Sequence, residues 1–189
     1  MAMAAIEPDD RVLDLACGTG DILFAAAGRA RFAVGLDLTF RMLELAAAKS
    51  PRPAAALLNG DMLALPFGNR CFSVVTVGYG LRNVPDLGQA IAEIDRVLMP
   101  GGRLLSLDFD RPSNRVVSAA YLLYLTIVGS AVGLVLHRDP DTYRYIPESI
   151  RHYPGSAGVA RLLEQRGFVD VRVVPLLGGF MAIHTARKA

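Results

Sequence analysis

The sequence predicts an open α/β sheet, mostly parallel and layered with helices, and three features carry that reading. Arg11 to Asp21 (RVLDLACGTGD) joins a short apolar strand to a helix through a glycine turn, the first unit of nucleotide-type α/β folds. Buried apolar runs then alternate with helical segments along the chain. The last two strands are linked by Pro175 to Gly179 alone, too short for a helical crossover, so they run antiparallel. At 189 residues and 52% hydrophobic, the chain is one domain's worth of sequence with enough apolar content for a good core.

Val12, Leu13 and Leu15 make the first strand. Asp14 lies inside it, where an unpaired carboxylate is costly, so it should bond backbone N–H groups or a cationic ligand. Gly18, Thr19 and Gly20 break the chain, and an Ala-rich helix starts at Asp21. Glycine is needed there because a ligand approaches the backbone where a Cβ would collide. The turn lacks the third small residue of the dinucleotide fingerprint, since Asp21, Ile22 and Leu23 follow it. It suits a ligand without a pyrophosphate, such as S-adenosylmethionine; taken alone, it also fits an ordinary βα turn.

Phe32 to Leu38 is a second buried strand. Asp37 lies about twenty residues beyond the glycine turn, the distance at which a carboxylate reaches a ribose. The competing reading is a cap for the helix that begins near Phe40. Ala54 to Leu58 is a weaker third strand. Asp61 follows it, placed to accept from an adenine amino group with Met62 against the ring, although an acid there is also a common turn residue. Phe72 to Val77 is a fully buried parallel strand. Gly78 to Asp86 then lies outside a carboxyl end, where substrates bind in such sheets. Asp86 opens a helix to Leu98, with Leu87, Ile91, Ile94 and Leu98 on one face. Pro100-Gly101-Gly102 stops it, and residues 103–109 form the fifth strand.

Residues 116–136 contain no charged side chain and are long enough to span a membrane, with Gly129 and Gly133 four apart. A span is disfavoured, because strands of one sheet lie on both sides of the segment and Ser118, Tyr121, Thr126 and Ser130 dilute it. The expectation is an inserted helical hairpin that walls an apolar pocket or touches a membrane surface. Residues 138–153 should be a loop and short helix over that pocket. Gly155 to Arg166 forms a helix ended by Gly167, Phe168 to Val174 the sixth strand, and Phe180 to Thr185 the last.

A net charge of +2 and the lack of any basic run argue against nucleic acid. Cys17 and Cys71 form no disulfide framework and no metal spacing, so no metal is expected and both thiols read as reduced. Residues 1–10 carry acids where a signal peptide is basic. The expected location is the cytoplasm, with contact at the inner face of a membrane left open.

Seven segments in order, VLDLACGTGD, GLDLTFRMLELA, GDMLALPF, GYGLRNVPD, RVLMPGGRLLSLDF, YRYIPESIRHYPG and GGFMAIH, resemble the ubiquinone/menaquinone biosynthesis C-methyltransferases. The first, second and fifth are shared by many class I methyltransferases; GLRNVPD and YRYIPESI are far more restricted. The resemblance implies a Rossmann-like class I fold over residues 1–189, with a seven-stranded mostly parallel sheet, an antiparallel last strand and residues 113–153 inserted before strand six. It implies methyl transfer from S-adenosylmethionine to a ring carbon of a prenylated quinol. Asp14, Gly18, Thr19, Gly20, Asp37, Leu38, Asp61, Met62 and Gly78 would bind the cofactor, with Gly78 replacing a frequent Ser. Arg82 and Asn83 match the family's pair near the acceptor ring. Tyr143, Tyr145 and Ser149 match its second signature, and His184 its last. The family also carries aromatic and Asp-Asn signatures before the first strand, which residues 1–10 do not hold. Ser130 stands where Pro is common, and Leu134 where a charge is usual.

Carbon methylation requires electron density on that carbon, supplied when a quinol hydroxyl ionises. Arg82 is a poor base, since guanidinium stays charged, and is better suited to stabilise the phenolate or position a water. His184 is the one ring nitrogen near the pocket motifs with a suitable ordinary pKa; a structural histidine is its competing reading. Tyr143 and Tyr145 read as pocket wall. The alternatives are O- or N-methylation of another small or lipidic acceptor, and a non-catalytic relative without a lid. Whether the chain forms a homodimer is left open.

Overall fold

A computed structural model describes residues 2–49, 55–112, 114–138, 143 and 145–189. Seven strands form one sheet in the order β3-β2-β1-β4-β5-β7-β6. These are β1 (Arg11–Leu15), β2 (Phe32–Asp37), β3 (Ala56–Asn59), β4 (Phe72–Gly78), β5 (Leu98–Phe109), β6 (Phe168–Leu176) and β7 (Met181–Lys188). The first five are parallel, and β7 runs antiparallel between β5 and β6. The strand order reverses between β1 and β4, and ligands bind outside the carboxyl ends at such a switch point.

The central strands β1 and β4 are predominantly apolar because helices cover both faces. Val12, Leu13 and Leu15 of β1, and Val74, Val75 and Val77 of β4, are all buried. The helices are α1 (Asp21–Ala27), α2 (Phe40–Lys49), α3 (Leu87–Val97), α4 (Arg115–His137), α5 (Tyr145–His152) and α6 (Gly155–Gln165). α3 starts where Asp86 accepts from the Gln89 N–H at 2.9 Å and buries Ala90, Ile91, Ile94 and Val97. α6 ends at Gly167, with φ +95°, whose N–H reaches the Glu164 carbonyl at 3.0 Å. α1 packs so closely on β2 that a Cβ at Gly35 would lie 2.5 Å from Leu23 Cδ2 and 2.8 Å from Cys17 Sγ.

Three expectations are corrected. Residues 116–136 are not a hairpin but part of one continuous helix, α4. Gly129 does not bend it; it makes room for Tyr143, whose Cβ would be 3.4 Å from a Cβ there. Second, β5 begins at Leu98, five residues early. Leu98 pairs with Phe72, the register shifts, and pairing resumes at Arg103 with Val74, so Pro100 to Gly102 lie inside the strand. Gly101, with φ +75°, permits that irregularity. Third, Pro175 belongs to β6, opposite Ala182 on β7. Ala54, residues 139–142 and residue 144, placed at the sequence level in β3 and a covering loop, lie outside the described residues. No helix among the described residues is long and apolar enough to cross a membrane.

Candidate functional site

Two connections meet at the switch point. The turn after β1 holds three left-handed residues, Ala16, Gly18 and Gly20, with φ of 51°, 54° and 83°. The turn after β4 holds Tyr79 at φ 57°. Left-handed Ala and Tyr are uncommon, and such strain collects at ligand sites. The turns touch: a Cβ at Gly80 would lie 2.7 Å from Ala16 Cβ.

Asp37, at the end of β2, ties this crevice together. Its Oδ2 accepts the Gly18 N–H and its Oδ1 the Thr39 N–H, both at 2.8 Å, and the residue is buried. Thr39 accordingly takes the turn position, while Asp37 anchors the glycine loop and keeps its remaining lone pairs. Asp14 is fully buried beneath the same loop. Of the expected backbone N–H groups, the Leu23 amide acts on it, and Oδ1 also accepts the Thr76 hydroxyl at 2.6 Å. Among the described residues Oδ2 has no hydrogen-bond partner of good geometry. Burial, with the Asp37 charge adding, pushes the Asp14 carboxyl up to about 7, against the Thr76 hydroxyl and the Leu23 backbone amide. Asp61 is exposed and accepts the Leu63 N–H at 2.9 Å, with Met62 buried beside it. Thr19 is half-buried, its hydroxyl 3.3 Å from Asp21, whereas Leu38 is exposed. At Gly78 a Cβ would lie 2.5 Å from Ile22 Cδ1, so Gly keeps this wall open. Two buried acids and an orphaned carboxylate oxygen under a glycine cradle fit a small ligand that carries positive charge.

A second group lies one strand over. Arg82, in the short turn 81–83 after β4, is buried against Asp108 of β5 at 2.9 Å. Its Nη1 also donates to the Tyr79 carbonyl at 2.9 Å, and Cζ stands 4.9 Å above the Phe109 ring centroid. Asn83 donates to the same carbonyl at 3.1 Å but is exposed. Phe109 forms the floor of an apolar cavity of ≈ 530 Å³, walled by Tyr121, Tyr124 and Leu125 of α4 and by Phe180 and Met181. Tyr121 and Phe180 pack with centroids 4.5 Å apart. That volume suits a ring with an apolar substituent.

The structure redistributes the remaining candidates. His184 is not a free base. It is 1% exposed, with Nε2 3.0 Å from the Ser156 carbonyl and Nδ1 3.1 Å from Ser106 Oγ. The carbonyl can only accept, so Nε2 carries the proton and Nδ1 accepts from Ser106. Burial also holds its pKa below the ordinary value. Tyr145 is exposed at the start of α5, and neither it nor Tyr143 lines the cavity; α4 supplies that wall. Ser149 is spent on the Ile146 carbonyl at 2.9 Å. Sequence reasoning passed over Asp108, Tyr121, Phe180 and Tyr153. Asp108 carried the signal that singled out Asp14, a carboxylate within an apolar run. No group of three or more acids, histidines and cysteines among the described residues could hold a metal.

Residues 1–188 match the model of the ubiE/COQ5 methyltransferase family. A demethylmenaquinone methyltransferase of Mycolicibacterium vanbaalenii is 39% identical over 184 residues, 97% of this chain and 79% of the relative. A ubiquinone/menaquinone biosynthesis C-methyltransferase UbiE of Teredinibacter turnerae is 37% identical over 194 residues, 99% and 78%. Among solved structures, an S-adenosylmethionine dependent methyltransferase of Mesorhizobium loti superposes with a TM-score of 0.71 at 16% identity, covering 99% of this chain and 95% of that one. A SAM dependent methyltransferase of Aquifex aeolicus gives the same TM-score at 16% identity, covering 100% and 87%.

Proposed function

The chain belongs to the ubiE/COQ5 methyltransferase family, and from that premise we propose that it methylates a ring carbon of a prenylated quinol, demethylmenaquinol or a polyprenyl-benzoquinol, in menaquinone or ubiquinone biosynthesis. The observation that carries this reading is the apolar, aromatic-walled cavity floored by Phe109, whose ring packs 4.9 Å from the guanidinium carbon of the buried Arg82. An apolar pocket beside one buried positive charge suits a greasy ring that becomes an anion. S-adenosylmethionine supplies a sulfonium methyl already activated for displacement. Gly18, Thr19 and Gly20 cradle it, Asp37 takes the ribose hydroxyls, Asp61 and Met62 hold the adenine, and Asp14 faces its positive charge. Arg82 stabilises the quinol oxygen as it gives its proton to water, which raises electron density on the ortho carbon. That carbon would take the methyl as its bond to sulfur breaks and S-adenosylhomocysteine leaves. Loss of the carbon's own proton, with return of one to the oxygen, restores the aromatic quinol.

In this reading residues 1–189 act as one methyltransferase domain, with residues 113–153 as the insertion beside the acceptor. Val116, Leu123, Ile127 and Leu134 are exposed along one side of α4, and Tyr124 both lines the cavity and reaches the surface. That face meets a membrane surface, and the isoprenoid tail leaves the cavity along it.

The test is a methyl-transfer assay with demethylmenaquinol beside short phenolic and amine acceptors, preceded by calorimetric titration with S-adenosylmethionine. Cofactor binding with turnover on the quinol alone is expected. Turnover confined to oxygen or nitrogen acceptors would refute the quinol assignment, and no binding at all would refute the enzyme reading. Asp37→Asn tests the cofactor half. An amide must present its NH₂ to either the Gly18 or the Thr39 N–H, losing a charge-assisted bond worth about 2–3 kcal/mol. Calorimetry should read an approximately 100-fold weaker Kd for S-adenosylmethionine; an unchanged Kd would remove Asp37 from the site.

A further inference from the structure

Asp108 is a carboxylate to which the proposed reaction gives no role. It is 2% exposed, next to the end of β5. Its Oδ1 accepts from Arg82 Nη1 at 2.9 Å and from the Phe109 N–H at 2.8 Å. Its Oδ2 accepts the Arg82 backbone N–H at 3.1 Å. One carboxylate therefore grips Arg82 at both backbone and guanidinium. The neighbouring Phe109 ring supports the guanidinium face, and the strained Tyr79 offers its carbonyl to the same Nη1. The cation is placed chiefly by the last two residues of β5, the second of which, Phe109, also floors the cavity.

This arrangement leaves one buried guanidinium nitrogen over. Arg82 Nε is buried and has no hydrogen-bond partner among the described residues. A buried orphan N–H is costly, so its presence beside a cavity points to an absent acceptor. A buried ion pair, moreover, adds little stability over an apolar pair of the same volume. Its value then lies in where it puts the charge.

We infer that Asp108 is a positioning residue for the acceptor: by clamping Arg82 through Nη1 and the backbone, it keeps Nε–H for the ionising oxygen of the substrate ring. This rests on the reading that Arg82 meets the acceptor. Tyr121, Tyr153 and His184 are titratable groups within electrostatic reach of the pair, and Asp110 acts on the last two.

The test compares Arg82→Ala, Asp108→Asn, their double variant and Asp108→Glu in the full chain, reading kcat, KM for the quinol, cofactor Kd and the pH profile of kcat. Asp108→Asn should lower kcat about 100-fold with cofactor Kd unchanged, since a displaced group of this kind carries that penalty. Its acid limb should move to higher pH, because the phenolate loses a fixed cation. On the Arg82→Ala background the same change should have almost no further effect, as expected of residues acting as one unit. Asp108→Glu keeps the charge and hence the fold, but shifts the carboxylate by one methylene; about a tenfold fall in kcat is expected. Wild-type kcat in Asp108→Glu, or an equal Asp108→Asn penalty on both backgrounds, would overturn the positioning role. Full turnover in Arg82→Ala would instead remove the reading beneath it, whereas a dead Arg82→Ala with an active Asp108→Asn would remove the positioning role alone.

Discussion

Arg82→Ala is expected to lower turnover by about a thousandfold while leaving S-adenosylmethionine binding within a fewfold of wild type. Removing a preorganised donor from a water-poor site lowers kcat by about 10²–10³, and here a whole cation goes. The effect is confined to the acceptor because the residues proposed to hold the cofactor come from other elements. The β1 turn is held by Asp37, and Asp61 lies beyond β3, neither of them bonded to Arg82. The variant also leaves Asp108 buried without its cation. Burial already holds that carboxyl above the usual range in spite of Arg82, so it would take up a proton, and the melting temperature should fall as well. Comparing variant and wild type well below their melting temperatures separates the two effects. Arg82→Lys should recover only a little turnover, because an ammonium cannot bond Asp108 and the Tyr79 carbonyl while leaving a fixed second donor. A cofactor Kd weakened more than tenfold would move Arg82 to the cofactor side; unchanged turnover would remove it from the reaction.

How much of this was legible in the sequence depended on whether a feature is local. Glycine turns, apolar runs of strand length and the short final link are local, and they gave the sheet, its strand count and the antiparallel closure. The hairpin expected in 116–136 is instead one continuous helix, which accommodates Gly129 because Tyr143 packs on that glycine. β5 was started late because Pro100-Gly101-Gly102 normally ends an element; only the pairing of Leu98 with Phe72 carries the strand through. At the site, carboxylates ending or interrupting apolar strands stood out, which found Asp14 and Asp37. Asp108 met the same criterion, but its meaning depends on Arg82, 26 residues earlier in the chain. His184 looked available because nothing local shows that the Ser156 carbonyl of α6 covers its Nε2. The charge-free run 116–136 was legible as a pocket wall, and α4 supplies it; Tyr143 and Tyr145, also expected there, do not line the cavity, because how the following turn packs leaves no trace in spacing.

Asp14 should make both stability and cofactor binding depend on pH. The folded carboxyl titrates at about 7, and in the unfolded chain it returns to about 3.8. Between those values the folded protein holds a proton that the unfolded chain has released. The contribution is thus largest below about pH 4, shrinks as pH rises, and is gone above pH 7. At about 1.4 kcal/mol per unit, the whole swing is on the order of 4 kcal/mol. Asp14→Asn abolishes the titration in place. Its melting temperature should equal wild type near pH 4 and exceed it by several degrees at pH 8, where wild type carries a buried, half-bonded carboxylate. A difference that does not change with pH would refute this account. The cofactor brings a positive charge that favours the ionised carboxylate, so binding below pH 7 should release a proton, and affinity should rise as pH approaches 7. Calorimetric titration in two buffers of different ionisation enthalpy counts that proton; the count should approach one near pH 6 and vanish in Asp14→Asn. Proton release that persists in the variant would assign it to another group. Thr76, which holds Oδ1 at 2.6 Å, then becomes a second control. Thr76→Val removes the one hydroxyl that favours the charged form, so it should push the titration still higher and widen the pH range over which binding releases a proton.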